Sequence, residues 1–317
     1  MATRVFLTVD TELMWRHHAA GLDAETIFAR SIEPARVGVS WQLARLADHG
    51  LKATFFVDPM PALIYGIDVV KRMVAPVLEA GQEVQLHLHP GWSGASRDDR
   101  RADAPSDLID YGYDEQLELI AGAARMLEAA GVPEPLAFRA GNYSASDDTL
   151  LALADLGFAY DSSHNGAHHP WPSAISLPPR QVAPVAHLGV VEIPVSVIED
   201  RAGHLRTFQI CALSAAEMRD ALDHAEREGH QAVTIVSHGF ELANRRGTRP
   251  NAIHVRRFEA LCALLGERRE TLVTTHFADR PELALGRADA PLGPNALRTR
   301  LRQAQQLWSN LVEERAA

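Results

Sequence analysis

Short apolar runs of β-branched and aromatic residues alternate along the chain with longer stretches in which apolar residues recur every three or four positions. Strands are predicted over residues 4–10, 52–57, 82–89, 136–139, 158–161, 190–197, 231–237 and 271–275. Helices are predicted over 33–48, 67–80, 113–130, 147–156, 214–229 and 253–265. Punctuation supports these limits: Gly81 and Gly131 follow two of the helices, and Ser214-Ala215-Ala216-Glu217 is a capping box that opens another. Two segments stand apart as loops, a polar one over 92–110 and one rich in Pro, His and Ser over 163–184.

Regular β–α alternation predicts an α/β fold with a mostly parallel sheet, either doubly wound or closed into a barrel. Gly293-Pro294 then breaks the chain, and Asn295 caps a helix with Leu297, Leu301, Ala304, Trp308 and Leu311 on one stripe. The expectation is a main domain over 1–280 and a helical tail over 281–317 packed on its outside. Dimerisation through the stripe is the alternative.

Composition narrows the classes. The 317 residues are 46% hydrophobic and 23% charged, ordinary for a globular chain. A formal charge of −10 argues against a nucleic-acid backbone or an anionic membrane as partner and leaves a saccharide partner open. Neither an apolar leader nor a run long enough to span a membrane is visible, and Cys211 and Cys262 read as reduced packing residues. A cytoplasmic protein is therefore expected. Oligomeric state is not legible.

Reactive side chains gather at the carboxyl ends of the predicted strands, where sites assemble in parallel α/β folds. The first strand ends in Asp10-Thr11-Glu12, the third in His87-Leu88-His89, the fourth in Arg139, the fifth in Asp161 and the seventh in Ser237-His238. Residues i and i+2 of a strand share a face about 6–7 Å apart, so His87 and His89 can lean onto one ion. With Asp10 or Glu12 they form a two-imidazole, one-carboxylate set suited to a divalent metal, zinc first, with cobalt, manganese or iron also accommodated. Two histidines merely hydrogen-bonded at a barrel mouth are the plainer reading. Amide hydrolysis at neutral pH lacks a good nucleophile, and such a metal can supply one by lowering the pKa of water from about 15.7 to about 7. The reaction also needs a base for the water and an acid for the leaving nitrogen, with Asp10 and His238 as candidates. Trp92 and Tyr143 could stack on a sugar ring or serve as packing residues. His164, His168 and His169 read as part of a solvated loop. No Gly-x-Ser-x-Gly elbow or Walker-type loop is present.

These segments, in this order, resemble the polysaccharide deacetylase family (carbohydrate esterase family 4) over roughly residues 4 to 280. The resemblance implies a distorted (β/α) barrel and metal-dependent removal of acetyl groups from sugars. It places Asp10 at the catalytic base and Arg139 at the arginine that orients it. Gly141, Asn142 and Tyr143 fall at a substrate-groove motif, and Asp161 in a motif of its own. His238 falls at the catalytic acid, oriented by Asp161 or a neighbour. Thr11 stands at the family's second aspartate; some family branches use an acid-x-acid arrangement instead, which implies Glu12 as the acidic metal ligand, with Asp10 open as another. Gln85 stands where the earlier metal histidine is usual, so the pair here is His87 and His89. The Leu-His-Leu-His-Pro run is most similar to a divergent branch associated with lipopolysaccharide biosynthesis. The implied substrate is an N-acetylated saccharide or a nucleotide- or lipid-linked precursor. The rivals are a hydrolase of a non-sugar amide and a carbohydrate-binding protein without the metal.

Overall fold

The computed structural model describes residues 2–96 and 105–314, so the middle of the loop expected over 92–110 lies outside the described residues. The strands are β1 (Thr3–Thr11), β2 (Thr54–Val57), β3 (Glu83–Leu88), β4 (Ala137–Ala140), β5 (Tyr160–Asp161), β6 (Val185–His187), β7 (Val190–Glu192), β8 (Val197–Arg201), β9 (His204–Thr207), β10 (Ala232–His238) and β11 (Leu272–Thr274). The helices are α1 (Trp15–Ala19), α2 (Ala24–Ser31), α3 (Val39–His49), α4 (Ala62–Tyr65), α5 (Ile67–Glu79), α6 (Tyr113–Ala129), α7 (Asp147–Asp155), α8 (Ala215–Glu228), α9 (Ala252–Glu267) and α10 (Ala296–Trp308).

Nine of the described strands form one curled sheet in the order β10-β1-β2-β3-β4-β5-β7-β6, with β11 beside the start of β1. Only the β6–β7 pairing among them is antiparallel. The sheet makes a half-barrel. Period-two alternation along β1 sorts its side chains between two environments. Val5, Leu7 and Val9 join the large core that also contains the buried faces of the helices, Val70, Met73, Val74 and Val77 of α5 among them. Phe6 instead joins Phe56, Ala137, Ile193, Ala232 and Phe277 in a second, smaller core. There the Phe6 and Phe277 rings stand 4.6 Å apart. Each such phenylalanine contributes about 1.5–3 kcal/mol by leaving water. Two and four residues on from Phe6 on the same face come Thr8 and Asp10, so the plug of rings gives way to polar groups toward the carboxyl end of the strand.

Helix limits follow the signals expected of them. The Ser214 side chain accepts from the Glu217 amide, and α8 ends at Gly229 with φ +68°, a left-handed value that favours glycine. The helix expected over 33–48 begins only at Val39. A tight turn at Pro34–Arg36 precedes it, and Gly38 packs so closely that a Cβ would lie 2.2 Å from the Ile32 carbonyl oxygen.

The strand expected over 190–197 is split, because Pro194 has no amide to donate to a ladder. β7 stops at Glu192, and the chain crosses to β10. There the Ser196 amide donates to the Thr234 carbonyl (3.2 Å) and the Val236 amide donates to the Phe208 carbonyl (2.9 Å). Irregular backbone thus covers the free edge of β10, and the hairpin β8–β9 forms a separate two-stranded sheet.

The tail helix α10 is capped by Asn295 as expected, but it docks by the opposite face. Leu297, Leu301, Trp308 and Leu311 are 54–69% exposed, whereas Thr299, Arg302 and Ser309 are buried. The cause is ionic. Arg302 donates to the buried carboxylates of Asp200 (2.7 Å) and Glu217 (3.0 Å), which pins the polar face inward. Replacing Arg302 with Met leaves those acids without this partner, and a loss of about 3 kcal/mol in unfolding free energy is expected in denaturant titrations. A loss below about 1 kcal/mol would show that the exposed stripe, not the ion pairs, governs docking. Among the described residues no helix is long and apolar enough to cross a membrane, and both cysteines are free.

Candidate active site

Parallel register brings the reactive residues together. Asp10 on β1 pairs with His238 on β10, and His87 on β3 pairs with Arg139 on β4. Arg139 is completely buried. Its Nη1 donates to Asp10 Oδ1 (2.7 Å) and Thr8 Oγ1 (2.7 Å), its Nη2 to Ser162 Oγ (2.9 Å), and its Nε to the Ser162 carbonyl (3.0 Å). The guanidinium lies over the Phe56 ring. Asp10 is therefore held by one oxygen, and Oδ2 faces His238 Nε2 at 3.8 Å. That gap exceeds a direct hydrogen bond.

Glu12, His87 and His89 offer donor atoms that all lie within 4.8 Å of one another, the one group of this kind found among the described residues. Glu12 Oε2 contacts His89 Nε2 and stands 3.6 Å from His87 Nε2. His87 Nδ1 is 2.7 Å from the Arg139 carbonyl, which can only accept, so the proton sits on Nδ1 and the Nε2 lone pair faces Glu12. The His89 ring is held from behind by Gly141, where a Cβ would come within 2.4 Å of it. Burial would raise the Glu12 carboxyl, but the His89 charge, with the His87 and His89 rings beside it, outweighs burial and holds the group well below the carboxylate range. His89 moves the other way. Burial disfavours its charge, yet Glu12, with Asp58 and Asp10 behind it, lifts the imidazole to about 9.

Asp58, just past β2, is a site residue the sequence reading passed over. It ends its strand as the other candidates end theirs. Burial pushes its carboxyl up to about 6 against the pull of His89 and His87. Its Oδ1 accepts from the Met60 amide, and among the described residues its buried Oδ2 has no hydrogen-bond partner.

His238 is oriented by Glu241 rather than Asp161. The Glu241 carboxylate accepts from the His238 amide (3.0 Å), stands 3.5 Å from Nδ1, and is itself fixed by the Cys211 amide (2.8 Å) and Gln209 (3.0 Å). Burial opposes the His238 charge, but the hydrogen bond and charge of Glu241, then Asp10 and Glu12, raise it to about 9. Asp161 instead binds the Ser163 amide and hydroxyl and shares a buried contact with Glu192. Burial and the Asp161 charge hold Glu192 well above its ordinary value.

Gln85 sits one layer below the histidines. Its Oε1 accepts from the Leu136 and Ala137 amides and its Nε2 donates to Glu83, so it ties β3 to β4.

The groove residues divide. Asn142 and Tyr143 line the cleft with φ of +56° and +58°, strained values held by the surrounding packing. Trp92 is only 2% exposed, turned inward by the Pro90–Gly94 turn onto Trp15, His18 and Tyr65. It lines one lobe of the cleft as a packed floor rather than standing exposed as a stacking platform. The exposed aromatic at the cleft is Trp171, 60% accessible, from the Pro- and His-rich loop. That loop is not solvated throughout: His164 and Asn165 are fully buried, and His168 reaches the cleft beside Tyr143.

The cleft has two lobes of about 430 and 410 Å³ that share Glu12, His89 and Asn142. Polar, titratable groups gather in a pocket at the carboxyl end of a curled parallel sheet, and the solved structures similar to this chain agree on the fold. A protein from Mycobacterium smegmatis assigned as a polysaccharide deacetylase matches at 19% identity and TM-score 0.50, over 91% of this chain and 95% of that one. Another so assigned, from Pseudomonas aeruginosa, matches at 16% identity and TM-score 0.55, over 87% and 89%. A 4-α-glucanotransferase from Thermococcus litoralis also matches, at 9% identity and TM-score 0.53, over 88% of this chain and 40% of that one. No protein-family model and no curated protein matches the sequence. The chain has the polysaccharide-deacetylase fold. Because the glucanotransferase has a related fold, the reaction must be argued from the side chains.

Proposed function

We propose that the chain belongs with the polysaccharide deacetylases and is a metal-dependent hydrolase that removes an acyl group, acetyl first, from the nitrogen of a saccharide. The observation that carries this reading is the Glu12–His87–His89 donor cluster beside Asp10 and His238 in one cleft. The donor set fits a divalent cation: one carboxylate, an imidazole with its Nε2 lone pair turned inward, and a second imidazole on the same oxygen. The unpartnered Oδ2 of Asp58 adds negative charge beside them. Zinc is the first choice, with cobalt, manganese and iron also compatible with nitrogen and oxygen donors. Such an ion supplies Lewis acidity toward the acyl carbonyl and lowers the pKa of water.

The chain's own groups do the proton work. Asp10 Oδ1 is committed to Arg139, so Oδ2 is the atom free to take a proton from the attacking water. His238, kept charged by Glu241, gives its Nε2 proton to the nitrogen as the carbon–nitrogen bond breaks. The 3.8 Å between Asp10 Oδ2 and His238 Nε2 leaves the two groups unbonded to each other and able to engage the reacting atoms.

Elemental analysis and acetate assays test this reading. Protein loaded with zinc is expected to hold about one ion per chain and to release acetate from N-acetylglucosamine oligomers. His87→Ala and Glu12→Gln are each expected to lower metal affinity at least about tenfold, judged against the 10–100-fold cost of losing outer-shell partners alone. Absence of stoichiometric metal in the parent protein, with glycan binding that persists in His87→Ala, would mark a binding protein instead.

A further inference from the structure

We propose that the second lobe of the cleft is an oxyanion subsite, in which Arg16 and Arg245 bind a phosphate or carboxylate carried by the acylated saccharide. The inference rests on the hydrolase reading only for where the acyl group lies. The lobe begins at Glu12 and His89 and extends away from Asp10 and His238, over an apolar wall of Leu13, Met14, Trp15 and Trp92. Its volume of about 410 Å³ lies within the range of small-molecule sites, about 300–1,000 Å³.

Both arginines line this lobe, Arg16 half-buried in α1 and Arg245 exposed after β10. Among the described residues neither side chain has a carboxylate within ion-pair distance. Arg16 is placed by the Phe240 ring, 5.8 Å away, and its Nε is buried with no hydrogen-bond partner. The nearest acids are engaged elsewhere. Glu12 contacts His89, and Glu314 accepts from the Arg245 backbone amide (2.8 Å) and from Asn251 (3.2 Å). Burial, then the like charge of Arg245, holds Arg16 below its ordinary value, which means that the two cations oppose each other. In a chain of net charge −10, two such guanidiniums converging on one lobe form a local site for negative charge. Planar guanidinium forks match phosphate and carboxylate oxygens two at a time, which a neutral hydroxyl cannot reproduce. Because Glu12 and His89 belong to both lobes, an anion held here is on the same bound molecule as an acyl nitrogen near Asp10 and His238.

Equilibrium calorimetry without divalent metal reads this subsite independently of turnover. The probes are N-acetylglucosamine, its 1- and 6-phosphates, and N-acetylmuramic acid, which carries a carboxylate. At least one anionic sugar is expected to bind about tenfold or more tightly than the neutral one. Preference for the phosphates or for the acid identifies the oxyanion. Arg16→Gln and Arg245→Gln should each reduce that preference, and the double variant should bring the anionic sugar to the level of the neutral one. Equal binding of all probes, no binding of any, or a preference that survives in the double variant overturns the proposal. Arginine-dependent binding without acetate release from any probe defeats the hydrolase reading alone. Acetate release from neutral sugars without anion preference defeats this inference alone.

Discussion

Replacing His238 with Asn is expected to lower kcat for acetate release by about 10²–10⁴-fold while leaving metal content unchanged, because an amine leaves poorly without a proton. The pH profile shows whether the group acts as the acid. The charged imidazole is the competent form, and Glu241 helps raise it to about 9 against the cost of burial. Activity should therefore persist up to about pH 9 and fall above it. In Glu241→Gln the leading source of the rise is gone while burial remains, so the basic limb of kcat/KM should move down toward the ordinary imidazole value of 6.5. At pH 8 the variant would then have lost most of its acid, and at pH 6 much of the activity should return. A basic limb that stays near 9 in Glu241→Gln would remove Glu241 from this role. A fall equal at every pH would point to misplacement of the ring rather than loss of its proton.

Much of this was legible in the chain because two simple periods carry it. Helical spacing of Val70, Met73, Val74 and Val77 and alternation along residues 5–10 sort apolar side chains onto core faces, and the parallel register then follows from β–α order. The carboxyl-end rule located Asp10, His87, His89, Arg139 and His238, and applied to the second strand it would have found Asp58 as well. What stayed hidden depends on contacts between distant segments. Residues 190–197 look like one apolar strand, and Pro194 is the single sign that the chain leaves the sheet there. The tail's stripe of leucines promised a buried face, but buried Asp200 and Glu217 select Arg302 instead. Glu241, by contrast, was legible from its place in His238-Gly239-Phe240-Glu241 as a residue that could charge the histidine or cap the next segment, and it reaches His238 in place of Asp161 because the turn after β10 folds back on its own strand end. Of the two roles open to Trp92 the structure selects packing, because exposure of a loop aromatic is set by what packs beneath it.

Arg139→Met should be the most damaging single change to stability. The guanidinium has no contact with solvent and joins β4 to Thr8, Asp10 and Ser162 through four hydrogen bonds. Methionine fills part of the volume but leaves the Asp10 carboxylate, itself 2% exposed, without its counter-charge. Breaking one side of such a buried pair costs about 3–5 kcal/mol, a large share of the roughly 5–15 kcal/mol that holds a domain folded. Lysine should rescue little, because a single ammonium cannot span acceptors on three sides as the planar fork does. The penalty comes mostly from the stranded charge, so neutralising it should return stability. Asp10→Asn in the Arg139→Met background is expected to be more stable in urea than Arg139→Met alone, with a coupling energy of about 1–3 kcal/mol in the double-mutant cycle. Activity should not return in that double variant, since Asp10 Oδ2 is the proposed proton acceptor. Additive losses in the cycle would mean that Arg139 stabilises the barrel through Thr8 and Ser162 alone, and the pairing that fixes Asp10 would then need another cause.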